Sequence, residues 1–127
     1  MATVLLIEDN AQNRRLEKDL FEVAGYTVIE SESAKDGIAL AAEKKPRLII
    51  MDVRLPDMRG TQAMQALRAD ERTRGIPVVF VTASAMPEEI NQINTVYNCG
   101  YITKPINTRT FVKEVERYIG ENGMKNA

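Results

Sequence analysis

The sequence predicts an α/β fold of the doubly wound class, with a five-stranded parallel sheet of order 2-1-3-4-5 and helices on both faces. Three short runs, at residues 4–7, 48–51 and 78–81, are apolar at every position. Such runs are typical of strands that are covered on both faces in the middle of a parallel sheet. Segments with helical spacing of apolar residues alternate with these runs, and this alternation indicates a single parallel sheet.

The first strand and the first helix are predicted at the start of the chain. The apolar run 4–7 ends at the polar Glu-Asp-Asn sequence of residues 8–10. A helix is predicted from about Gln12 to a stop at Gly25, because glycine is a common residue just past a helix end. Its core face is predicted from the helical spacing of Leu16, Leu20 and Val23.

The second strand and the second helix follow. Residues 27–30 alternate more between apolar and polar positions, which predicts a strand at the edge of the sheet. Ser33 and Asp36 have the spacing of a capping box and predict a helix start, and Lys45-Pro46 ends that helix. The residues predicted to face inward are Ile38, Ala41 and Ala42.

Two further strand–helix units continue the pattern after residues 48–51. Met64 and Leu67 mark a third helix, and the run 78–81 is the fourth strand. Pro87 suits the first turn of a fourth helix, since proline needs no amide partner there. This helix is predicted to continue to Gly100.

The last strand is predicted at residues 101–103 and is very short. A final helix ends at Gly120, and its inward face is predicted from the spacing of four residues: Phe111, Val112, Val115 and Ile119. We expect one domain over residues 1–120 and a polar tail over residues 121–127.

The character of each strand predicts its place in the sheet. The three fully apolar strands belong in the centre, whereas the alternating second strand and the short fifth strand belong at the edges. The flavodoxin-like order 2-1-3-4-5 meets both conditions, and its switch point lies between the first and third strands. Functional sites of open α/β sheets lie at such points, outside the carboxyl ends of the strands.

Composition argues against several classes of protein. The formal net charge of −1 gives no electrostatic attraction to nucleic acid or to an anionic membrane. The apolar runs are far shorter than the ~20 residues needed to cross a bilayer, and the first residues do not resemble a secretory signal. The single cysteine, Cys99, is expected to be a small buried hydrophobe and fits a reducing compartment. We therefore expect a cytoplasmic protein without a nucleic-acid or membrane partner.

Three acidic residues follow two strands that should be neighbours. Glu8 and Asp9 follow the first strand, and Asp52 follows the third. Carboxylates that converge repel one another unless a cation compensates them, and an incomplete all-oxygen site suits Mg2+, which keeps waters and shares its site with phosphate. Glu8 and Asp9 alone are equally compatible with capping the first helix, but this alternative does not explain Asp52.

Two further polar residues come at the same predicted edge of the sheet. Thr82 ends the fourth strand, and Lys104-Pro105 follows the fifth. In isolation these would be a strand-end hydroxyl bonded to backbone and a solvated lysine. At this edge, Lys104 could pair with Asp52 or bind a phosphoryl oxygen, and Thr82 could donate to a phosphate. A cis Lys104-Pro105 bond is compatible with such a turn.

These residues, taken in order, resemble the receiver domain of two-component response regulators over essentially the whole chain. The chain is most similar to stand-alone receivers, and its Glu-Asp-Asn and Lys-Pro-Ile sequences resemble the DivK-like group. The resemblance implies a signalling switch rather than an enzyme in the usual sense, with intrinsic phosphotransfer and autodephosphorylation chemistry. It rests on the ordered set Glu8-Asp9, Asp52, Thr82 and Lys104-Pro105.

The same resemblance implies a role for each residue at the acidic cluster. Asp52 would be the phospho-acceptor, and Lys104 would contact the phosphoryl group. Asp9, Asp52 and the backbone carbonyl of Arg54 would bind Mg2+ directly, and Glu8 would act through water.

The resemblance also implies a switch and a site that tunes its lifetime. Thr82 would be the switch hydroxyl and Tyr101 the switch aromatic, although Tyr101 by itself is equally compatible with a half-buried residue of an edge strand. Ala83 matches the small residue expected beside the phosphate. Arg54 and Ser84 lie where the family varies and tunes dephosphorylation.

The resemblance implies two kinds of partner. A histidine kinase or histidine phosphotransfer protein would supply the phosphoryl group, and a downstream target would bind the face formed by the fourth helix, fifth strand and fifth helix. The donor would dock on the first helix, although two of the four residues there, Leu16 and Leu20, are equally compatible with the core. The four residues are Asn13, Leu16, Glu17 and Leu20.

Two other functional classes fit the residues less well. An aspartate-nucleophile phosphatase of the haloacid dehalogenase type needs a second acid two residues after the nucleophile, and Arg54 occupies that position. A flavodoxin-like FMN binder needs a loop rich in serine, threonine and glycine after the first strand, and Glu8-Asp9 would repel a phosphate there.

Overall fold

A computed structural model describes residues 2–83, 86–96 and 98–118 of the chain. Within these ranges, five parallel strands form one sheet of order β2-β1-β3-β4-β5, and helices alternate with the strands. The predicted fold class and strand order are confirmed. The elements are β1 (Thr3–Ile7), α1 (Ala11–Val23), β2 (Thr27–Ser31), α2 (Ala34–Lys44), β3 (Leu48–Met51), α3 (Gly60–Ala69), β4 (Val78–Thr82), α4 (Pro87–Thr95), β5 (Cys99–Thr103) and α5 (Phe111–Tyr118).

The register of the sheet brings the ends of β1 and β3 together. Ile7, the last residue of β1, pairs with Met51 on one side and with Ser31 on the other. The amide of Asp52 then donates to the carbonyl of Ile7 over 3.2 Å. The residue after β3 therefore lies beside the residue after β1, as the parallel arrangement predicts.

The central strands are buried on both faces, which explains their continuous apolar sequences. On one face, alternate residues such as Met51 and Phe80 pack with Ala41 of α2, Met64 of α3 and Ile93 of α4. Because side chains alternate along a strand, the intervening residues point to the opposite face.

That opposite face is covered by α1 and α5. Leu6 and Ile50 of the sheet belong to the same buried cluster as Phe21 of α1 and Phe111 of α5. The rings of Phe21 and Phe111 meet edge to face with centroids 5.6 Å apart, an arrangement that aromatic pairs prefer. The helices therefore lie on both faces of the sheet.

The predicted core face of α1 is largely wrong. Leu16 is 42% exposed and Val23 is 89% exposed, whereas Glu17 and Phe21 are the buried residues of this helix. Leu20 alone of the predicted set packs partly against the core. Burial of the large Phe21 ring sets the rotation of the helix about its axis, and this rotation also turns Glu17 inward.

The ends of several elements also differ from the prediction. Helix α4 ends at Thr95 rather than at Gly100, and β5 begins at Cys99 rather than at Tyr101. Cys99 packs partly against the core, with its Sγ 3.0 Å from the Sδ of Met64. The predictions for the end of α5, Gly120 and the tail concern residues 119–127, which lie outside the described residues.

Two local predictions are confirmed. The Ser33 hydroxyl accepts the amide of Asp36 over 3.3 Å and caps α2, and the Lys104-Pro105 peptide bond is cis. Among the described residues, none of the helices has the length and apolar character needed to span a bilayer.

Candidate active site

Four strands end at one edge of the sheet and place their following residues around Asp52. Glu8 follows β1, Asp52 follows β3 and Lys104 follows β5, while Thr82 is the last residue of β4. The amide of Lys104 donates to the carbonyl of Thr82 over 2.8 Å. This hydrogen bond extends the pairing of β4 and β5 by one residue and fixes the backbone from which Lys104 projects.

The ammonium group of Lys104 joins the two acids that follow neighbouring strands. Its Nζ lies 2.8 Å from Oε1 of Glu8 and 3.1 Å from Oδ2 of Asp52. The Lys104 and Asp52 side chains retain little exposure, and Glu8 is only 2% exposed. Ionised pairs of this length form strong, charge-assisted hydrogen bonds, so the three side chains act as one unit.

Burial and hydrogen bonding oppose each other at Glu8. Burial of the carboxylate raises the pKa of Glu8, and hydrogen bonds from Lys104 and from the amide of Asn10 only partly offset this rise. A guanidinium nitrogen of Arg14 donates to the backbone carbonyl of Glu8 over 2.9 Å. The position of the Glu8 backbone therefore depends on α1 as well as on the sheet.

Lys104 keeps its positive charge in spite of its burial. Burial acts to lower the pKa of Lys104, but hydrogen bonds to Glu8 and Asp52 outweigh that effect and raise the pKa. A fixed cation beside Asp52 is suited to an incoming anionic group such as a phosphoryl group.

The loop that follows Asp52 is a tight turn. Oδ1 of Asp52 accepts the amide of Arg54 over 3.1 Å, and Arg54 forms an isolated antiparallel bridge with Arg59. The amide of Gly60 closes the loop on the carbonyl of Val53 at 2.6 Å. A Cβ at position 60 would lie 2.6 Å from the Asp52 carbonyl oxygen, so only glycine allows this approach.

The same loop is fixed to two helices. The Asp57 carboxylate accepts the amides of Ala34 and Lys35 over 2.9 and 2.8 Å and so caps α2. These backbone hydrogen bonds, first that of Lys35, lower the pKa of Asp57. At the other end of the loop, Arg59 forms an ion pair with Glu89 in the first turn of α4.

The other predicted site residues belong to the same strands or to the turns that follow them. Asp9 is exposed at the end of β1, and Thr82 is buried at the end of β4. Tyr101 is half-buried in β5 opposite Phe80, and its carbonyl accepts the hydroxyl of Tyr118. Ser84 lies outside the described residues. The roles inferred for these residues remain predictions.

The acidic residues at this edge of the sheet offer oxygen ligands to a divalent cation. Within the described ranges, no group of three or more acidic, histidine or cysteine side chains is already arranged to hold a metal. Glu8 and Asp52 both contact Lys104. The three carboxylates of Glu8, Asp9 and Asp52 together carry more negative charge than the one positive charge of Lys104 can offset, and they offer only oxygen ligands. This set fits Mg2+, which binds through one or two carboxylates and keeps several waters.

Sequence reasoning missed several residues that hold the site in place. Arg14 supports Glu8, Gly60 permits the tight loop, and Arg59 pairs with Glu89. These contacts join distant parts of the chain, so no local pattern indicates them. Only the proline, aspartate and glycine at positions 56, 57 and 60, which are typical of a turn, indicate the loop itself.

An open parallel sheet with acids and a lysine at its switch point defines a phosphorylatable signalling switch of the two-component class. Residues 4–116 match the model of the response regulator receiver domain. The chain belongs to this family.

Relatives and solved structures agree with this assignment. The chain is 38% identical over 119 residues to the polar-differentiation response regulator DivK of Brucella ovis, a match that covers 94% of this chain and 97% of the relative. It superposes on the chemotaxis protein CheY4 of Vibrio cholerae with a TM-score of 0.85 and 28% identity, covering 93% of this chain and 98% of CheY4.

A third similar structure contains a metal. The receiver domain of the sensor histidine kinase PA1611 from Pseudomonas aeruginosa PAO1 has a magnesium ion coordinated in its active-site cleft. It is 27% identical to this chain, with a TM-score of 0.83 and coverage of 94% of this chain and 98% of that one. Response regulators as a class receive phosphate from histidine kinases and act on downstream targets.

Proposed function

We propose that Asp52 is the residue of this switch that accepts the phosphoryl group, in the cytoplasm, from a histidine kinase or a histidine phosphotransfer protein. The observation that carries the proposal is the position of Lys104, whose Nζ lies within hydrogen-bond distance of both Asp52 and Glu8. A carboxylate that retains some exposure and already lies beside a fixed cation is suited to attack an anionic phosphorus centre.

The reaction is an in-line transfer between two side chains. An Asp52 carboxylate oxygen forms a bond to phosphorus while the bond between phosphorus and the donor histidine nitrogen breaks, and that nitrogen keeps the electron pair. Lys104 offsets charge on the transferred oxygens, and the fixed position of Asp52 contributes by orientation. Asp52, Asp9 and the carbonyl of Arg54 would hold Mg2+, with Glu8 acting through water. When bound, Mg2+ offsets further phosphoryl charge.

Switching would follow from the new oxygens at Asp52. The Thr82 hydroxyl at the end of β4 would move inward and donate to the phosphoryl group. The ring of Tyr101 in the adjacent strand would then rotate into the space that Thr82 leaves. The face formed by α4, β5 and α5 would then bind the downstream target. Arg54 and Ser84 would set the lifetime of the phosphoryl group through the access of water.

The acceptor is tested by labelling with a small phosphodonor. Acetyl phosphate and Mg2+ should give an acid-labile adduct at Asp52, which peptide mapping would locate. Labelling that persists in Asp52→Asn, or that is equally fast in EDTA, would contradict the assignment. Asp57→Asn is a matched control, since Asp57 lies on the same loop but points to the amides of α2.

The relay is tested separately with beryllofluoride, a phosphoryl mimic. Spectra of wild type and Thr82→Ala should differ around Tyr101 and α4 when beryllofluoride is bound. Identical responses in the two proteins would exclude Thr82 as the relay.

A further inference from the structure

Arg59 connects the loop that follows β3 to the start of α4. Its backbone forms the antiparallel bridge with Arg54, and its amide donates to Oε1 of Gln62 over 3.1 Å in the first turn of α3. Its guanidinium group forms the ion pair with Glu89 of α4. One residue therefore has its backbone in the loop next to Asp52 and its side chain on a different helix.

Glu89 is firmly held at the other end of this connection. The residue is 6% exposed, its Oε1 accepts the amide of Met86 over 2.9 Å, and its Oε2 accepts from the guanidinium of Arg59. Burial acts to raise the pKa of Glu89, but hydrogen bonds from the Met86 amide and from Arg59 outweigh that effect and lower the pKa. Glu89 is therefore ionised at neutral pH and uses both carboxylate oxygens, one within its own helix start and one across to the loop.

The Arg54 backbone is the part of the expected metal site that depends on this connection. Asp52 directly follows β3 and is held by the sheet, because its amide donates to the carbonyl of Ile7. Arg54 lies two residues further along, in the loop, and its backbone is held by the bridge to Arg59. Groups that orient a metal ligand from outside the coordination shell typically change metal affinity by roughly 10- to 100-fold when they are removed.

We propose that Arg59 is a positioning residue of the Mg2+ site, and that its ion pair with Glu89 couples Mg2+ binding to the start of α4. The inference rests on the proposed function, because it takes the carbonyl of Arg54 as a metal ligand. Breaking the ion pair frees the Arg59 side chain and loosens the backbone that presents this carbonyl, so Mg2+ binds more weakly. Coupling between two sites is reciprocal, so bound Mg2+ also strengthens the ion pair and steadies the first turn of α4.

The charge of Arg59 predicts the opposite effect, which makes the sign of the change decisive. A guanidinium group near a cation site repels the cation, so its removal by charge alone would tighten Mg2+ binding. The positioning role predicts that Arg59→Met weakens Mg2+ binding instead, by roughly tenfold. Glu89→Gln should weaken it to a similar extent. Arg59→Lys keeps the charge but not the planar fork, and should restore part of the affinity.

Mg2+ titrations followed by NMR of the backbone amides measure these affinities without any phosphodonor. The double variant of Arg59→Met and Glu89→Gln should bind Mg2+ as weakly as either single variant, because both changes remove one and the same contact. Arg72→Met is the matched control, since Arg72 pairs with Asp70 at the far end of α3 and its loss should leave Mg2+ affinity unchanged. Urea titration of each variant verifies that it is folded under these conditions.

Unchanged or tighter Mg2+ binding by Arg59→Met would overturn the proposal, as would additive effects of the two single variants. Either result leaves Mg2+-dependent labelling of Asp52 intact, so the inference can fail while the proposed function stands. Absence of saturable Mg2+ binding to the wild type would overturn the inference and the proposed metal site together.

Discussion

Replacing Glu17 with glutamine should stabilise the protein, by an amount that depends on pH. Burial raises the pKa of Glu17 from 4.5 to about 8 in the folded protein, so the folded state holds this proton more tightly than the unfolded state does. Stability associated with Glu17 is therefore fully present below pH 4.5 and is lost as pH rises towards 8. Glutamine has a similar shape and cannot ionise, so it escapes that loss.

The size of the effect follows from the shift. At about 1.4 kcal/mol per pH unit, ionisation of Glu17 costs the wild type about 3 kcal/mol at pH 7 and about 4 kcal/mol above pH 8, both relative to pH 4.5. The gap in the free energy of unfolding between Glu17→Gln and wild type should widen by these amounts. Constant differences between a carboxyl and an amide cancel in this comparison.

Urea denaturation followed by circular dichroism, repeated at pH 4.5, 7 and 8.5, measures this gap. Glu22→Gln serves as the control, because Glu22 is exposed on the same helix and should show little pH-dependent gain. A gap that does not change with pH, or a Glu17 carboxyl that titrates near its ordinary value in carbon-detected NMR, would refute the reasoning.

Three other variants or modifications test individual contacts. Lys104→Met leaves the buried Glu8 carboxylate without its cation and should cost roughly 2–4 kcal/mol of stability at pH 7. The loss should be smaller at pH 4, where Glu8 takes up a proton. Urea titration measures both losses, and Lys113→Met, at an exposed position, should be near neutral in it. Gly60→Ala places a Cβ 2.6 Å from the Asp52 carbonyl oxygen and should cost roughly 1–3 kcal/mol of stability. Gly75→Ala is the control, because a Cβ at that position meets nothing within 4 Å. Equal losses of the two variants in thermal melts would contradict the contact at position 60. Burial raises the pKa of Cys99 to about 11, so iodoacetamide at pH 8 should alkylate it far more slowly in folded protein than in urea; comparable rates would show an accessible thiolate.

The fold could be predicted because its signals are local. Apolar runs, the Ser33 cap and the positions of glycine and proline each define an element without reference to the rest of the chain. The meeting of Glu8, Asp52 and Lys104 could be predicted as well, because the carboxyl ends of parallel strands necessarily lie at one edge.

The rotation of α1 could not be predicted from its periodicity. Leu16, Leu20 and Val23 have helical spacing and indicate one face, but Phe21 buries more apolar surface and determines the face that packs. No sequence pattern indicates that an acid such as Glu17 will share the buried face, since acids are almost always exposed.

The anchors of the loop after β3 have a consequence for how the protein opens. Asp57 holds the first turn of α2 and Arg59 holds the first turn of α4, so one short segment braces the starts of two helices on the same face of the sheet. Local unfolding occurs in cooperative units defined by such contacts. The first-turn amides of α2 and α4 should therefore exchange with deuterium together, in a single opening event that also frees the backbone next to Asp52.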